Sequence, residues 1–324
     1  MKILIAPLNW GLGHATRCIP LVRHYLDEGH EVVLGGDGDS LTLLSRHFPD
    51  LRVIDLPKLE LRYTYNTQQW GFYLRALPAL LRFMIADHYY LRQRLAIEHF
   101  DLVVSDNRFG CFTRQTRCVY LTHQLYVRLP KRLCLLAPIA RALHACVYRR
   151  YDEVWVPDYA DEHHNLAGEL CHGGRYDKQV KYIGPLSRFS PCTNSEVSDS
   201  STRYDSVAIL SGLEPQRTLM EQEVVARGQQ TGEKMLLVQG LISRPHTRMQ
   251  RGNITIVPYL SDKELLETMQ KTTTIIARSG YSTIMDLAVL GLLNKAELYP
   301  TPGQSEQEYL AIWIKGFVQA SPAN

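Results

Sequence analysis

Apolar runs alternate with amphipathic stretches along most of the chain. Residues 2–8 (KILIAPL) form a continuous apolar run, as expected of a parallel strand that is covered on both faces. A glycine-rich turn follows, and then a helical pattern places Ile19, Val22 and Leu26 on one face before Gly29. A further strand pattern comes next. This β-α-β order predicts a right-handed crossover and a parallel sheet.

The same alternation continues on both sides of a polar segment. Strands are predicted before this segment at residues 51–57, 101–106, 119–124, 153–158 and 180–185. After it, strands are predicted at 206–212, 234–240, 253–259, 273–280 and 296–300, and helices at about 216–230, at 262–271, near Ser282 and from about Ser305. The segment itself, 186–203, is serine-rich and aperiodic, which is typical of an interdomain linker. We therefore predict an α/β protein in which two Rossmann-like, doubly wound domains, 1–185 and 204–324, face each other across a cleft.

Composition narrows the class of protein. The 324 residues exceed what one hydrophobic core usually serves, and 45% hydrophobic with 21% charged residues is typical of a globular protein. A net charge of +3 gives no support to nucleic-acid binding. The seven cysteines are widely spaced without a CxxC pair, which favours buried free thiols over disulfides or a metal site. Without a signal peptide or a long apolar span, the cytoplasm is the expected location.

One strand end in the second half carries a small polar turn. Ser211 and Gly212 follow a buried strand and precede a helix, so backbone N–H groups and a hydroxyl there could hold a phosphate. Arg217 would add positive charge. The alternative is an ordinary Ser-Gly turn.

A second strand ends at Arg278, and Ser279 and Gly280 form the turn after it. Ser282 or Thr283 is expected to cap the next helix, whose first turn would attract an anion. Asp286 lies one turn further on the same face, where a carboxylate could accept hydrogen bonds from both hydroxyls of a ribose. The alternative is a capped helix with a solvated aspartate.

A third strand end leads into a loop that two prolines and a glycine make rigid, residues 300–303. Gln304, Gln307 and Glu308 then crowd the start of a helix. Amide and carboxylate groups together can hydrogen-bond sugar hydroxyls. A polar helix start on the surface is the alternative.

These segments resemble a known family. Residues 278–286 (RSGYSTIMD) and 300–309 (PTPGQSEQEY) resemble the C-terminal signature of family 28 glycosyltransferases, which includes the peptidoglycan N-acetylglucosaminyltransferase and the monogalactosyldiacylglycerol synthases. Residues 11–14 (GLGH) resemble the glycine-rich loop of the same family. The resemblance implies a GT-B fold and a nucleoside diphosphate sugar as donor, usually UDP-linked, with no cofactor or metal required.

The resemblance also implies roles for individual residues. The roles are a ribose contact for Asp286, phosphate contacts for Ser211, Gly212, Ser282 and Thr283, sugar contacts for Gln307 and Glu308, and a base contact for Tyr259. The family has glutamate where this chain has Asp286, so the ribose contact has a shorter reach. GT-B proteins usually extend beyond the position that corresponds to Asn324, into a helix that crosses back onto the first domain. A truncated second domain is therefore one expectation.

His14 is the candidate catalytic base in the first half. It follows Gly11 and Gly13 at a helix start, and an imidazole there could remove the proton of an acceptor hydroxyl. The loop lacks the third glycine of a dinucleotide fingerprint, which argues against NAD. The alternative role for His14 is a structural one, as a helix cap or a backbone hydrogen-bond partner.

Two further strand ends supply acceptor-side candidates, Asp106 and His123. The Asp37-Gly38-Asp39 stretch mimics a metal-binding DxD motif. We interpret it as a turn from strand to helix, because GT-B enzymes generally hold the diphosphate with helix dipoles and basic groups.

Two segments have the composition of a membrane face. Residues 70–95 are rich in Leu, Phe, Tyr and Arg, and residues 128–150 contain six basic residues and no acidic one. Basic amphipathic segments of this kind suit an anionic lipid surface, so we expect a peripheral membrane contact and a lipid-linked acceptor. The alternative is two ordinary helices packed on the first domain.

The sequence thus predicts an enzyme that transfers a hexose-type sugar from a nucleoside diphosphate donor to a hydroxyl acceptor. Two alternatives stay open. One is a sugar-nucleotide 2-epimerase of the same fold, and the other is an inactive protein that binds a nucleotide sugar.

Overall fold

Two sheets of mostly parallel strands form the frame of the protein. The computed structural model describes residues 1–59, 70–172, 179–189 and 203–320, without the side chains of 70–75 and 131. The elements before the linker are β1 (Lys2–Pro7), α1 (Leu12–Asp27), β2 (Glu31–Gly36), α2 (Gly38–His47), β3 (Arg52–Asp55), α3 (Trp70–Ile97), β4 (Leu102–Asp106), β5 (Arg117–Leu121), α4 (Ala137–Tyr148), β6 (Glu153–Val156) and β7 (Val180–Tyr182). They build a seven-stranded sheet of order β3-β2-β1-β4-β5-β6-β7.

The second sheet has six strands. The elements after the linker are β8 (Ser206–Ile209), α5 (Gln216–Thr231), β9 (Met235–Val238), β10 (Met249–Arg251), β11 (Ile254–Val257), α6 (Asp262–Lys271), β12 (Thr274–Arg278), α7 (Tyr281–Val289), β13 (Ala296–Tyr299) and α8 (Ser305–Ala320). The strand order is β10-β11-β9-β8-β12-β13, and only β10 is antiparallel to its neighbour. The sequence pattern did not predict β10, because its three residues are all exposed.

The first sheet is buried on both faces. Ile3 and Ile5 of β1 pack with Ala15 and Ile19 of α1, and Leu4 packs in the cluster on the other face. Side chains alternate between the faces of a strand, so a continuous apolar run is what such a strand requires. The prediction of a doubly covered parallel sheet is confirmed.

The register of three neighbouring strands brings their carboxyl ends together. Pro7 of β1 lies beside Asp106 of β4, and Asp106 lies beside Leu121 of β5. The residues that follow these strands therefore meet at one edge of the sheet, which is where ligands bind in folds of this kind.

The last helix packs against the first domain. Leu310 and Ile314 of α8 are buried in a cluster that also holds Leu166 and Leu170. The Trp313 Nε1–H donates to the Asn165 carbonyl oxygen at 3.1 Å. α8 of the second domain therefore packs on the first domain.

Several smaller expectations can be compared with the structure. Asp37 does sit at a turn from strand to helix, directly before α2, and its carboxylate accepts hydrogen bonds from Asn9 and Arg108. The cysteines differ from expectation, since Cys134 and Cys146 are exposed while the other four described ones are buried free thiols.

Residues 190–202 of the linker lie outside the described residues. In the described part of the chain, no helix is long and apolar enough to cross a membrane.

Candidate functional site

His14, Asp106 and Arg17 form a buried cluster at the edge of the first sheet. The His14 Nδ1 atom lies 3.0 Å from Asp106 Oδ1 and 2.8 Å from Arg17 Nη2. Arg17 also donates from Nε to Asp106 Oδ2 at 2.7 Å, and its Nη2 bonds Asp106 Oδ1. Asp106 and Arg17 are almost fully buried, and the His14 side chain keeps 14% of its surface exposed. The histidine predicted from the glycine-rich loop thus lies against a carboxylate.

His123 connects this cluster to the second domain. Its Nδ1 atom is 2.8 Å from Arg17 Nη1, and its Nε2 atom is 2.7 Å from Glu306 Oε1 of α8. The imidazole also stacks on the Tyr281 ring of α7, with centroids 4.5 Å apart and planes 5° apart. His123 therefore touches both helices that carry the sequence signature.

The electrostatics of the cluster suit a neutral histidine beside an ionised carboxylate. Burial lowers the pKa of His14, the charge of Asp106 opposes this shift, and the charge of Arg17 adds to it. Burial alone would raise the pKa of Asp106, but the charges and hydrogen bonds of Arg17 and His14 hold it well below its usual value. At neutral pH Asp106 is therefore charged and His14 is able to accept a proton.

The glycine-rich loop faces the second domain at two points. The Ser282 hydroxyl donates to the Gly13 carbonyl oxygen at 2.7 Å, and a Cβ on Gly13 would lie 3.0 Å from that hydroxyl oxygen. A Cβ on Gly11 would lie 4.0 Å from the Gly212 Cα. The structure thus places the predicted acceptor loop directly against two of the predicted phosphate turns.

The start of α7 differs from the sequence prediction in its capping. Gly280 occupies the N-cap position, and no side chain caps the helix. Ser282 and Thr283 lie inside the first turn, so the prediction that one of them caps α7 is wrong. Ser282 instead uses its hydroxyl on Gly13 of the other domain, and Ser279 donates to the Gln307 carbonyl oxygen at 2.8 Å.

Asp286 is buried and already has partners in the protein. The Ser187 hydroxyl donates to Asp286 Oδ1 at 2.7 Å, and Arg188 Nε lies 3.5 Å from Oδ2. Burial raises the pKa of Asp286 to about 6, although Arg188 and Ser187 oppose the shift. The solvated aspartate that we considered as an alternative is not what the structure has. Its predicted ribose contact stays a prediction.

Two predicted donor-site arginines are engaged within the second domain. Arg217 donates to Glu214 at 2.7 Å and to Glu221 at 2.6 Å, so its charge is already balanced. Arg278 donates to the carbonyl oxygens of Pro300 and Gln216, both at 2.9 Å, and joins β13 to α5. Arg217 is thus neutralised within its own domain, and the predicted donor roles of both arginines stay predictions.

The predicted base and sugar contacts lie at the same edge of the second domain. Tyr259 follows β11, and Arg46 of α2 packs over its ring at 5.1 Å. The Gln307 Oε1 atom accepts from the Thr301 N–H at 2.8 Å, and Glu308 Oε1 accepts from the Gly303 N–H at 3.1 Å. These two side chains thus fix the rigid loop before α8, which also contains Gln304.

A groove of about 500 Å³ runs beside α5 in the second domain. Arg217, Gln239 and Arg244 are among its lining residues, and no residue of α7 or α8 takes part. The residues that sequence reasoning assigned to the donor therefore lie mostly elsewhere, on the strand ends that face the first domain.

Sequence reasoning missed two members of the site. Arg17 lies three residues after His14 on the same helix face, and a positive charge so near a helix start is unfavourable unless a carboxylate balances it. The position of Arg17 near the helix start was therefore the sequence feature that could have predicted a carboxylate partner. Glu306 stands among the glutamines of the signature, and nothing in the sequence distinguishes it from Glu308.

Sequence comparison identifies distant relatives that are all named as glycosyltransferases. Over 97% of its length the chain is 21% identical to an uncharacterized glycosyltransferase of Methanosarcina mazei, of which it covers 83%. Over 95% of its length it is 22% identical to an uncharacterized glycosyltransferase of Methanosarcina acetivorans, of which it covers 82%. No model of a known protein family matches the chain. The resemblance to family 28 in particular therefore stays a resemblance.

Solved structures with the same fold are also glycosyltransferases. The chain superposes over 98% of its length on Phytolacca americana UGT2 complexed with UDP-2fluoro-glucose and pterostilbene, covering 83% of it with a TM-score of 0.57 and 14% identity. The chain also superposes over 99% of its length on the glycosyltransferase SnogD from Streptomyces nogalater, covering 96% of it with a TM-score of 0.53 and 15% identity. These likenesses confirm the GT-B fold. On its fold and its sequence relatives together, the chain is a glycosyltransferase.

Proposed function

We propose that this enzyme transfers a hexose-type sugar from a nucleoside diphosphate donor, UDP-linked by preference, to a hydroxyl acceptor, with His14 as the catalytic base. The observation that carries the proposal is the 3.0 Å contact between His14 Nδ1 and Asp106 Oδ1 at the domain interface. A histidine paired with a buried carboxylate is an arrangement that removes protons from hydroxyl groups.

We assign the proton of His14 to Nδ1, where it points to Asp106 Oδ1. The 2.8 Å contact of this nitrogen with Arg17 Nη2 is then not a hydrogen bond, because both nitrogens carry hydrogen. Arg17 directs both Nε and Nη2 at the same carboxylate, so the carboxylate is ionised and can only accept. Among the described residues, none is hydrogen-bonded to Nε2 of His14, which leaves that nitrogen to accept the acceptor's proton. The imidazolium that forms is then stabilised by Asp106.

The bond changes follow from this assignment. The acceptor oxygen loses its proton to His14 Nε2 and bonds the anomeric carbon, while the bond from that carbon to the diphosphate breaks. A single displacement of this kind inverts the anomeric configuration. The diphosphate leaves with the bonding electrons, so it needs stabilisation of negative charge.

The second domain supplies groups suited to that charge. The first turn of α7, which contains Ser282 and Thr283, offers backbone N–H groups and the positive end of a helix dipole. The Ser211-Gly212 turn lies across from Gly11. Asp286 would accept from the ribose, Tyr259 would contact the base, and Gln307 and Glu308 would hydrogen-bond the sugar. No metal is needed in this scheme.

We further propose that the first domain docks peripherally on an anionic membrane and takes a lipid-linked acceptor there. Four apolar residues recur at every fourth position of α3 and are 49–70% exposed, namely Leu77, Leu81, Ile85 and Tyr89. A second exposed apolar group precedes and occupies α4, namely Leu135, Leu136, Ile139 and Leu143. The one acidic residue between 77 and 92, Asp87, is buried against Arg108, so the exposed charges there are basic.

The 2-epimerase and the inactive binding protein fit less well. An epimerase has no acceptor hydroxyl to deprotonate and no need of an exposed apolar face. The sequence relatives are named glycosyltransferases. An inactive protein gives no reason for the His14–Asp106 pair.

Thermal-shift titration tests the donor side of the proposal. UDP-sugars at a hundredfold excess over Kd are expected to stabilise the wild type by about 2.7 kcal/mol, and GDP-, TDP- and ADP-sugars by less. Asp286→Asn is expected to lose the shift. His14→Gln is the control, because it lies on the acceptor side and is expected to keep the shift. A wild type that responds to none of the four series contradicts the proposed donor class.

A further inference from the structure

Five side chains form one continuous chain of contacts from the base to the second domain. In order they are His14, Asp106, Arg17, His123 and Glu306. We call this set the relay. The first four members belong to the first domain, and Glu306 belongs to α8. The relay is therefore complete only when the two domains are in contact.

The hydrogen bonds of the relay fix the state of its central histidine. Arg17 Nη1 can only donate, so Nδ1 of His123 must accept. The proton of a neutral His123 then sits on Nε2, which donates to Glu306 Oε1 at 2.7 Å. Arg17 in turn uses Nε and Nη2 on Asp106 and Nη1 on His123. Each member is held by the next one.

The second domain holds His123 from two sides. Glu306 of α8 takes its Nε2 proton, and Tyr281 of α7 covers its ring face. Tyr281 is itself fixed, because its hydroxyl donates to the Pro157 carbonyl oxygen at 3.0 Å. An imidazole that is bonded at both nitrogens and stacked on one face has one orientation. His123 is thus the point at which the second domain contacts the base cluster.

We propose that Glu306 is a positioning residue that acts on His14 through His123 and Arg17, so that the base reaches its working state only when the donor domain is closed on the acceptor domain. The inference rests on the proposed role of His14 as the base. It goes beyond that role by assigning a coupling between the two domains to one carboxylate.

Charge gives the coupling a direction. The titratable and charged groups around His14 are Arg17 on its own helix, Asp106 at the end of β4, His123 after β5 and Glu306 on α8, and Cys18 bonds to Asp106 behind them. Burial would raise the pKa of Glu306, but the hydrogen bond from His123 and the positive charges of Arg17 and of a protonated His14 lower it. By the same attraction, the Glu306 carboxylate favours the protonated form of His14. Contact between the two domains, which brings Glu306 to His123, would therefore help His14 to keep the proton that it takes from the acceptor.

NMR titration of the His14 ring tests the inference on the full chain without substrate. The signal is followed from pH 4 to 8 in protein with isotope-labelled histidine and is assigned by its loss in His14→Gln. Glu306→Gln keeps the hydrogen-bond acceptor and removes the charge. It is expected to lower the pKa of His14 by about 0.5 to 1 unit. Ser243→Ala, which removes the exposed interdomain hydrogen bond to Asp39, is the control and should leave the pKa unchanged.

A double substitution tests the route. In His123→Leu the relay is broken while the Glu306 charge remains, so adding Glu306→Gln should then move the His14 titration clearly less, because only the direct charge attraction is left. An equal shift in both backgrounds overturns the relay, since Glu306 would then act directly through space. An unchanged titration in Glu306→Gln alone overturns the coupling altogether. Nucleotide-sugar thermal shifts are measured separately, so a failed donor class and a failed relay give different results.

Discussion

At the scale of single residues, His14 and Asp106 meet because of the register of β1, β4 and β5. Asp106 is the last residue of β4 and lies beside Pro7 at the end of β1. The glycine-rich turn then returns the chain over this edge, so that His14 in the first turn of α1 reaches the carboxylate. Burial of an ionised aspartate is costly, and here Arg17 balances it through both carboxylate oxygens.

Asp286 gives a prediction about pH and stability. Burial raises its pKa to about 6 in the folded protein, against about 4 in an unfolded chain. The folded state therefore binds the proton more tightly between about pH 4 and 6, and ionisation costs stability above this range. Asp286→Asn removes that cost. Relative to the wild type, its free energy of unfolding is expected to rise by up to about 3 kcal/mol between pH 4 and 7.

Urea unfolding at both pH values measures this difference. Asp27→Asn, at the exposed end of α1, is the matched control and should follow the wild type. A difference between Asp286→Asn and the wild type that does not change with pH contradicts the argument. Such a cost at a buried carboxylate is tolerated more often at functional sites than elsewhere.

Sequence reasoning found single residues better than their combinations. Asp106 and His123 were predicted because polar residues at the ends of parallel strands share an edge, and His14 was predicted from its place after the glycine-rich loop. That Asp106 pairs with His14 required the strand order, which periodicity does not give. The capping prediction for Ser282 and Thr283 was wrong because Gly280 already provides the extended N-cap backbone, which leaves the Ser282 hydroxyl for an interdomain contact.

At the scale of elements, α8 joins the domains through a glycine in the first one. Gly168 starts a 3₁₀ turn (Gly168–Leu170) with a φ of +54°, and a Cβ there would lie 2.2 Å from the Tyr309 hydroxyl oxygen and 2.8 Å from the Trp313 ring. The Tyr309 hydroxyl accepts the N–H of Glu169 at 2.8 Å. The close approach of α8 thus requires that this position has no side chain.

Gly168→Ala is expected to destabilise the protein through both causes. The left-handed backbone costs about 1 kcal/mol for alanine, and displacement of Tyr309 and Trp313 adds about 1–3 kcal/mol. Gly252→Ala is the matched control, because Gly252 has a φ of +62° and open space at its Cβ. Urea unfolding should show a larger loss of stability for Gly168→Ala than for Gly252→Ala. Equal losses of stability would mean that α8 does not pack closely on Gly168.

The elements themselves were largely predictable. Strands with continuous apolar runs, such as β1, β4 and β12, were found because both of their faces are buried. The packing of α8 on the first domain was not predictable, because the apolar residues Leu310 and Ile314 could pack equally well on either domain. The pattern gives the buried face of a helix but not its partner.

At the scale of the whole molecule, the alternation of strands and helices was sufficient to predict two doubly wound domains. The contacts between them come from side chains that neither pattern nor propensity marks, such as His47, which bonds Asp262 at 2.9 Å. Asp262 also pairs with Arg188, 3.2 Å away. The domains are thus held together by several polar contacts and by the shared core around α8.

The exposed apolar residues of α3 predict membrane association of the whole enzyme. The wild type should co-float with anionic vesicles at low salt and less so at high salt, because screening weakens the attraction of arginines for the surface. Leu81→Glu with Ile85→Glu is expected to abolish flotation. Ile312→Glu is the control, since Ile312 is 76% exposed on α8, outside both groups. No co-migration of the wild type at low salt contradicts the membrane proposal.

The most direct test of the central claim compares nucleotide release by the wild type and His14→Gln. UDP-sugars are supplied with a set of hydroxyl acceptors, lipids first, and the released nucleoside diphosphate is measured. Loss of the base should reduce acceptor-dependent release by about 10²–10⁴-fold, while the thermal shift with the donor is kept. Release by His14→Gln at the rate of the wild type would contradict the account, because the His14–Asp106 pair would then have no part in the transfer.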